Sequence, residues 1–129
     1  MSLKFTVVTV AYNAESVIEK TITSVLNQSY LPFEYYIIDG KSGDKTVEKE
    51  KKYSVEFQNK GVKYTVISEK DSGIYNAMNK GIELATGDFI SFLNAGDWYE
   101  IDSLKNINDF YNEEEFAALC KKIDEMLAQ

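Results

Sequence analysis

The chain has 129 residues, of which 44% are hydrophobic and 27% charged, with a net charge of −7; these are the proportions of one ordinary globular domain with a core of its own. The longest apolar runs, residues 35–38 and 89–93, are far shorter than the roughly 20 residues of a membrane helix, and the N-terminus lacks the pattern of a secretory signal. Acidity disfavours a nucleic-acid groove, and the absence of both His and Arg excludes histidine-based nucleophile systems and histidine-ligated zinc, leaving lysine, backbone N–H groups or a metal on carboxylates to neutralise a phosphate.

The first strand is read at residues 5–10, a β-branched run. Asn13 then opens a turn, Ser16 and Glu19 have the spacing of a capping box, and Val17, Ile18, Ile22, Val25 and Leu26 predict a helix to about Gln28, broken before Pro32. Residues 33–38 form the second strand, ended by the turn-rich stretch Asp39-Gly40-Lys41-Ser42-Gly43-Asp44. One helix is expected over residues 45–59, with Val47, Tyr53 and Phe57 facing the core. A third strand spans 62–67, a helix follows with Ile74, Met78 and Ile82 as plain core, and a fourth strand spans 88–93. Strands alternating with helices require right-handed parallel crossovers, so the fold class is α/β with a mainly parallel sheet. Two helical segments close the chain; the second carries an apolar stripe of Phe116, Leu119, Cys120, Ile123 and Leu127, expected to pack on the sheet. Cys120 is the single cysteine, so no intrachain disulfide forms and a reducing compartment is expected.

Ligands of parallel sheets bind beyond the carboxyl ends of the strands. Acidic residues follow three of the four strands: Asp39, Glu69 with Asp71, and Asp97. Each has an ordinary explanation as a turn residue, but together they form a carboxylate set suited to Mg²⁺ or Mn²⁺ and, through the metal, to a phosphate ligand. Neither the P-loop pattern nor the dinucleotide-binding glycine pattern is present. A signalling receiver domain, of similar size, needs paired acids after the first strand, where this chain has Ala11-Tyr12-Asn13.

The segments Thr9-Val10-Ala11-Tyr12-Asn13-Ala14, Ser24-Val25-Leu26-Asn27-Gln28-Ser29-Tyr30, Ile38-Asp39-Gly40-Lys41-Ser42-Gly43-Asp44-Lys45-Thr46, residues 70–82 and residues 85–97 resemble, in order and spacing, the N-terminal half of the family 2 glycosyltransferases. The resemblance implies a Rossmann-like GT-A three-layer sandwich with strand order 3-2-1-4. Residues 1–99 would form the nucleotide-sugar-binding half-domain and residues 100–129 a helical extension. It implies transfer of a sugar from a nucleotide-diphospho-sugar, most commonly a UDP-sugar, to a polysaccharide or lipid-linked acceptor of a bacterial cell envelope, in the cytoplasm or at the inner face of the membrane. By the same resemblance Val10, Ala11 and Tyr12 lie against the base and ribose, Asp39 reads the base edge, and Asp71 lines the pocket near the ribose. Asn94-Ala95-Gly96-Asp97 stands at the metal motif, so that Asp97 binds Mn²⁺ or Mg²⁺; Asn94 and Gly96 depart from the commonest pattern there, as Gly40 does from a paired acid. The family's acceptor half is not matched. The expectation is therefore a truncated chain or one that works with a second subunit or copy through its last helix. Glu113, Glu114 and Glu115 are a general base by chemistry but read more simply as a solvated charge run.

Overall fold

A computed structural model describes residues 2–128, apart from the side chain of Glu115. The elements are β1 (Phe5–Ala11), α1 (Ile18–Leu26), β2 (Glu34–Asp39), α2 (Thr46–Lys51), α3 (Ser54–Asn59), β3 (Lys63–Ser68), α4 (Ile74–Leu84), β4 (Phe89–Phe92), α5 (Ser103–Tyr111) and α6 (Glu114–Leu127). The sheet has the order β3-β2-β1-β4 and every pairing is parallel. All loops that follow strands therefore gather at one edge, with Asp39 and Asp97 on the same side, as expected.

The pleat sends alternate residues to opposite faces, and the two faces are packed unequally. Phe5, Val7, Ala11, Tyr35 and Ile37 meet Ile18, Ile22, Val25, Phe57 and Leu104 in the larger core, beneath α1, α3 and α5. Tyr35, Phe57 and Tyr64 form its aromatic centre, with Phe57 and Tyr64 stacked at 4.5 Å. Val8, Tyr36, Ile38 and Ala77 form the smaller core on the opposite face, beneath α4. The result is the three-layer sandwich.

α4 packs through its small residues. Ala77 and Gly81 are its buried positions, and a Cβ on Gly81 would come 2.5 Å from Val8 Cγ1. The expectation that Ile74 and Ile82 are core is thus overturned: they are 46% and 47% exposed. Close approach of the helix axis requires small residues at the contact, and the larger ones are displaced to its flanks.

Other helices also depart from the sequence reading. α1 starts at Ile18 with no side-chain cap, because Glu19 is turned away to Lys52 and Tyr53; no capping box forms. It ends at Leu26, and the Gln28 amide instead donates to the carbonyls of Ser24 and Glu100 and accepts from Leu104 N–H. The helix expected over 45–59 is two, α2 and α3, separated at Lys52 and Tyr53. The break brings Tyr53 and Phe57 to the core together with Thr46 and Glu50, while Val47 is only half-buried. The stripe of α6 does not reach the sheet. Phe116 packs edge-on against Phe110 and tilted against Tyr111 of α5, and Leu119, Ile123 and Leu127 are 51%, 47% and 79% exposed.

At the sheet edge opposite the ligand-binding end, the buried Glu34 carboxylate collects hydrogen bonds from the Thr6 and Tyr36 hydroxyls and from both the N–H and hydroxyl of Thr86. Burial opposes its ionisation most strongly, but these donors together hold its pKa below the usual carboxylate value. Gly87 follows at a point where a Cβ would lie 2.6 Å from the Lys4 carbonyl oxygen, so only glycine lets the chain enter β4 here.

Candidate functional site

A cavity of about 550 Å³ opens at the carboxyl edge of the sheet. Val10, Ala11 and Tyr12 form its floor at the end of β1; Gly40 follows β2, Lys70 and Asp71 follow β3, Gly73 and Ile74 open α4, and Asn94 and Ala95 follow β4. Among these lining residues Lys70 is the one cation and Asp71 the one carboxylate. The Tyr12 ring is 65% exposed, an uncovered apolar face with a polar tip.

The motif after β2 acts as a clamp. Asn13, with a φ of 47°, accepts the Gly43 N–H at its side chain, and its own N–H donates to Ser42 Oγ. Ala14 N–H donates to Thr46 Oγ1 at 2.8 Å and Glu15 N–H to the Asp44 carboxylate. Four residues of the motif therefore hold the loop that carries Tyr12. Asp44 has a lowered pKa, owing first to the Thr46 hydroxyl.

Asp39 belongs to the same clamp. It is fully buried, with Oδ1 accepting from Ser42 Oγ at 2.6 Å and Oδ2 accepting from Ser42 N–H and Ser68 Oγ, both at 2.8 Å. It does not line the cavity. Asp71, by contrast, does line it, with Oδ1 accepting the Gly73 N–H at 3.0 Å.

The loop after β4 is held from both sides. Ala95 N–H donates to the Val10 carbonyl, Gly96 N–H to Thr21 Oγ1 at 2.8 Å, and Tyr99 N–H to Ser24 Oγ. Gly96 has a φ of 99°, a conformation that an acidic side chain adopts only with strain, which accounts for glycine in this motif. Asp97 is exposed and is not among the lining residues, its N–H donating to the carbonyl of the lining residue Asn94. Beside it, the Lys20 ammonium sits 3.4 Å above the Trp98 ring.

Of the residues expected at the site, the structure brings together Val10, Ala11, Tyr12, Asp71 and Asn94 as cavity lining; Asp97, exposed, and Asp39, fully buried, are not among the lining residues. The sequence points to the start of the helix near Gly73 as a place whose free N–H groups could face an anion, but it does not single out Lys70 or Ile74. The position of Ile74 in the first turn of that helix was the signal for it. Glu113 and Glu114 are exposed and line no part of the cavity, and the Glu115 side chain lies outside the described residues. Among the described residues no group of three or more metal-ligating side chains gathers.

An all-parallel sheet of order 3-2-1-4 flanked by helices, with a cleft across its carboxyl edge, is the α/β architecture of the GT-A type. The family model described as "Glycosyl transferase family 2" matches residues 6–125. The chain belongs to glycosyltransferase family 2. It is 32% identical over 112 residues to a PGL/p-HBAD biosynthesis glycosyltransferase of Mycobacterium bovis, a match that covers 86% of this chain and 43% of the relative. It is 38% identical over 104 residues to the amylovoran biosynthesis glycosyltransferase AmsB of Erwinia amylovora, 80% of this chain and 34% of that one. The chain thus spans less than half the length of these relatives. Among solved structures, residues 1–349 of S. aureus TarS in complex with UDP-GlcNAc superpose with a TM-score of 0.75 at 25% identity, over 88% of this chain and 32% of that one. The mannosyltransferase PcManGT of Pyrobaculum calidifontis, solved with GDP-Man and Mn²⁺, shares the fold with a TM-score of 0.75 at 23% identity, over 88% of this chain and 34% of its own.

Proposed function

We propose that this chain is the donor-binding part of a glycosyltransferase and that its cavity takes a uridine diphosphate sugar destined for a polysaccharide or lipid-linked acceptor. The observation that carries the reading is the cavity itself. It offers an uncovered aromatic ring at Tyr12, a cation at Lys70 and the N-terminus of the eleven-residue α4, the features that suit a flat base joined to an anionic group. The UDP-GlcNAc carried by TarS and the polysaccharide named for AmsB agree with it.

Each residue has a definable task. Tyr12 supports the base at the end of the cavity where Gly40 and Asp71 lie, and the diphosphate extends towards Asn94 and Ala95 at the other end, on the side of Asp97. Asp97 suits a divalent cation: a single exposed carboxylate with phosphate oxygens completing the shell is the usual arrangement for Mg²⁺ and Mn²⁺. Such an ion, when bound, stabilises the negative charge that develops on the departing diphosphate. A second reading, donor binding without turnover, is favoured by the lining, since Asp71 is the one carboxylate among the lining residues and it is already hydrogen-bonded to Gly73. We place the protein in the cytoplasm, where activated sugar donors are made; cell fractionation checks this. Calorimetry with UDP in Mn²⁺ and in EDTA tests the main reading. Tighter binding with Mn²⁺, abolished by Asp97→Asn, is expected; equal affinity in both conditions refutes the metal assignment, and no binding in either refutes the donor site.

A further inference from the structure

We propose that Asp71, and not Asp39, reads the edge of the base, and that Gly40 is kept side-chain-free to leave room for that contact, which selects a base with a ring N–H, uracil over cytosine. This deepens the donor-binding reading and rests on it.

The cavity has two ends. Asn94 and Ala95 close it at β4, two residues ahead of Asp97 in the chain; Gly40 and Asp71 close it beyond β2 and β3, with Val10, Ala11 and Tyr12 between. With the diphosphate drawn to Asp97, the base falls at the Gly40–Asp71 end. Only one carboxylate there is accessible. Asp39 is fully buried and its two oxygens already accept three hydrogen bonds from Ser42 and Ser68. An ionised carboxylate has about four acceptor positions, and what capacity remains on Asp39 lies behind the cavity wall.

Asp71 has the opposite disposition. Its Oδ1 is oriented by the Gly73 N–H, and among the described residues Oδ2 has no hydrogen-bond donor. A Cβ built on Gly40 would come 3.2 Å from that Oδ2 and 3.3 Å from Tyr12 Cδ1. The aromatic ring, the carboxylate oxygen and the open glycine therefore share one corner, a stacking face beside a hydrogen-bond acceptor. Gly40 is not in the left-handed region, so its requirement is space rather than conformation. Uracil presents a ring N–H donor to such an oxygen, whereas the ring nitrogen of cytosine is an acceptor and is repelled by it.

The test is nucleotide binding by calorimetry with UDP, CDP and GDP on the parent chain, Asp71→Asn, Gly40→Ala and Asp39→Asn, with thermal melting as a folding control. Asp71→Asn gains an N–H donor for the cytosine ring, so the UDP-to-CDP affinity ratio is expected to fall about tenfold to a hundredfold, the worth of a hydrogen bond to a charged group. Gly40→Ala, which crowds Asp71 and Tyr12, is expected to weaken UDP binding with little change in melting temperature. Asp39→Asn is expected to lower the melting temperature and leave the ratio as it is. A parent that binds UDP while Asp71→Asn keeps the parent ratio, or while Asp39→Asn changes it, overturns this inference alone. Tighter binding of GDP than UDP overturns the uracil assignment, and a parent that binds none of the three overturns the donor-binding reading itself.

Discussion

Substituting Gly81 by alanine sets two physical effects against each other. Gly81 lies inside α4, where helix propensity favours alanine over glycine by about 1 kcal/mol. Geometry opposes it, because the new Cβ would lie 2.5 Å from Val8 Cγ1 and 3.0 Å from Cγ2, well inside van der Waals contact. Val8 is fully buried on β1, a strand paired on both sides, and its branched side chain has little rotamer freedom. The strain must be relieved by moving α4 away from the sheet. Overpacking of this kind costs about 1–3 kcal/mol, and the steep clash with an immobile neighbour puts this site at the upper end, leaving a net loss of about 1–2 kcal/mol after the propensity gain. Urea denaturation followed by circular dichroism reads the difference as a lower midpoint at constant slope. The partner substitution Val8→Ala leaves a cavity when made alone but makes room for the alanine introduced in α4, so the double variant should be more stable than the sum of the two singles by about 1 kcal/mol or more. UDP affinity should fall in Gly81→Ala, because Gly73 and Ile74 at the start of the same helix line the cavity. A Gly81→Ala midpoint higher than the parent's would refute the argument that close packing dictates glycine here.

Glu50 is buried and, among the described residues, neither of its oxygens has a hydrogen-bond partner; burial, then the charges of Asp39 and Asp44, push its pKa up to about 8. The folded chain therefore holds a proton that the unfolded chain releases above its ordinary carboxylate pKa, and stability falls as pH rises from about 5 to about 8. Glu50→Gln removes that slope and should gain on the parent, between pH 5 and pH 8, by on the order of 3 kcal/mol in denaturation midpoints converted to free energy; parallel pH profiles would count against it. Glu34 has the opposite sign: its pKa is lowered, so its contribution is present above the ordinary carboxylate pKa and lost as pH falls through the lowered value. Glu34→Gln turns an amide N–H₂ towards hydroxyl and N–H donors and should cost about 1–3 kcal/mol at neutral pH, with thermal melting as the check. In a radiolabelled-donor assay the chain alone should release little transferred sugar, since a positioned general base is worth about 10²–10⁴-fold and the one carboxylate among the lining residues is given over to the base of the donor; robust transfer would show that a general base has been overlooked.

The parallel sheet and its ligand edge were legible because they follow from local pattern: β-branched runs, helical spacing between them, and acidic or glycine-containing turns after each strand. The choices settled by packing were not. The run after Asp39 signals a turn whatever its role, and only the paths of the Ser42 and Thr46 hydroxyls show that it braces the Tyr12 loop. Ile74 and Ile82 have core periodicity, yet the helix is drawn so near to Val8 that Ala77 and Gly81 occupy the contact. Neither Lys52 nor Tyr53 is a helix breaker, so the division into α2 and α3 comes from burying Glu50, Tyr53 and Phe57 at once. In α6 the apolar stripe is present, but the sheet surface on that face is already covered by α1, α3 and α5.

The Glu34 knot separates two kinds of requirement along the same strands. At the amino end, β2 begins on an anion gripped by Thr6 of β1 and by Thr86 just ahead of β4, so three strands are registered against one another by a single side chain. At the carboxyl end of the same six-residue strand, the loops meet around a void. Alterations to Tyr12, Lys70 or Asn94 change what the void accepts without touching the grip that aligns the sheet. Donor preference can therefore drift by substitution at one edge while the other keeps the strands in step, and variants selected for a new nucleotide should accumulate at the loops and leave Thr6, Glu34 and Thr86 as they are.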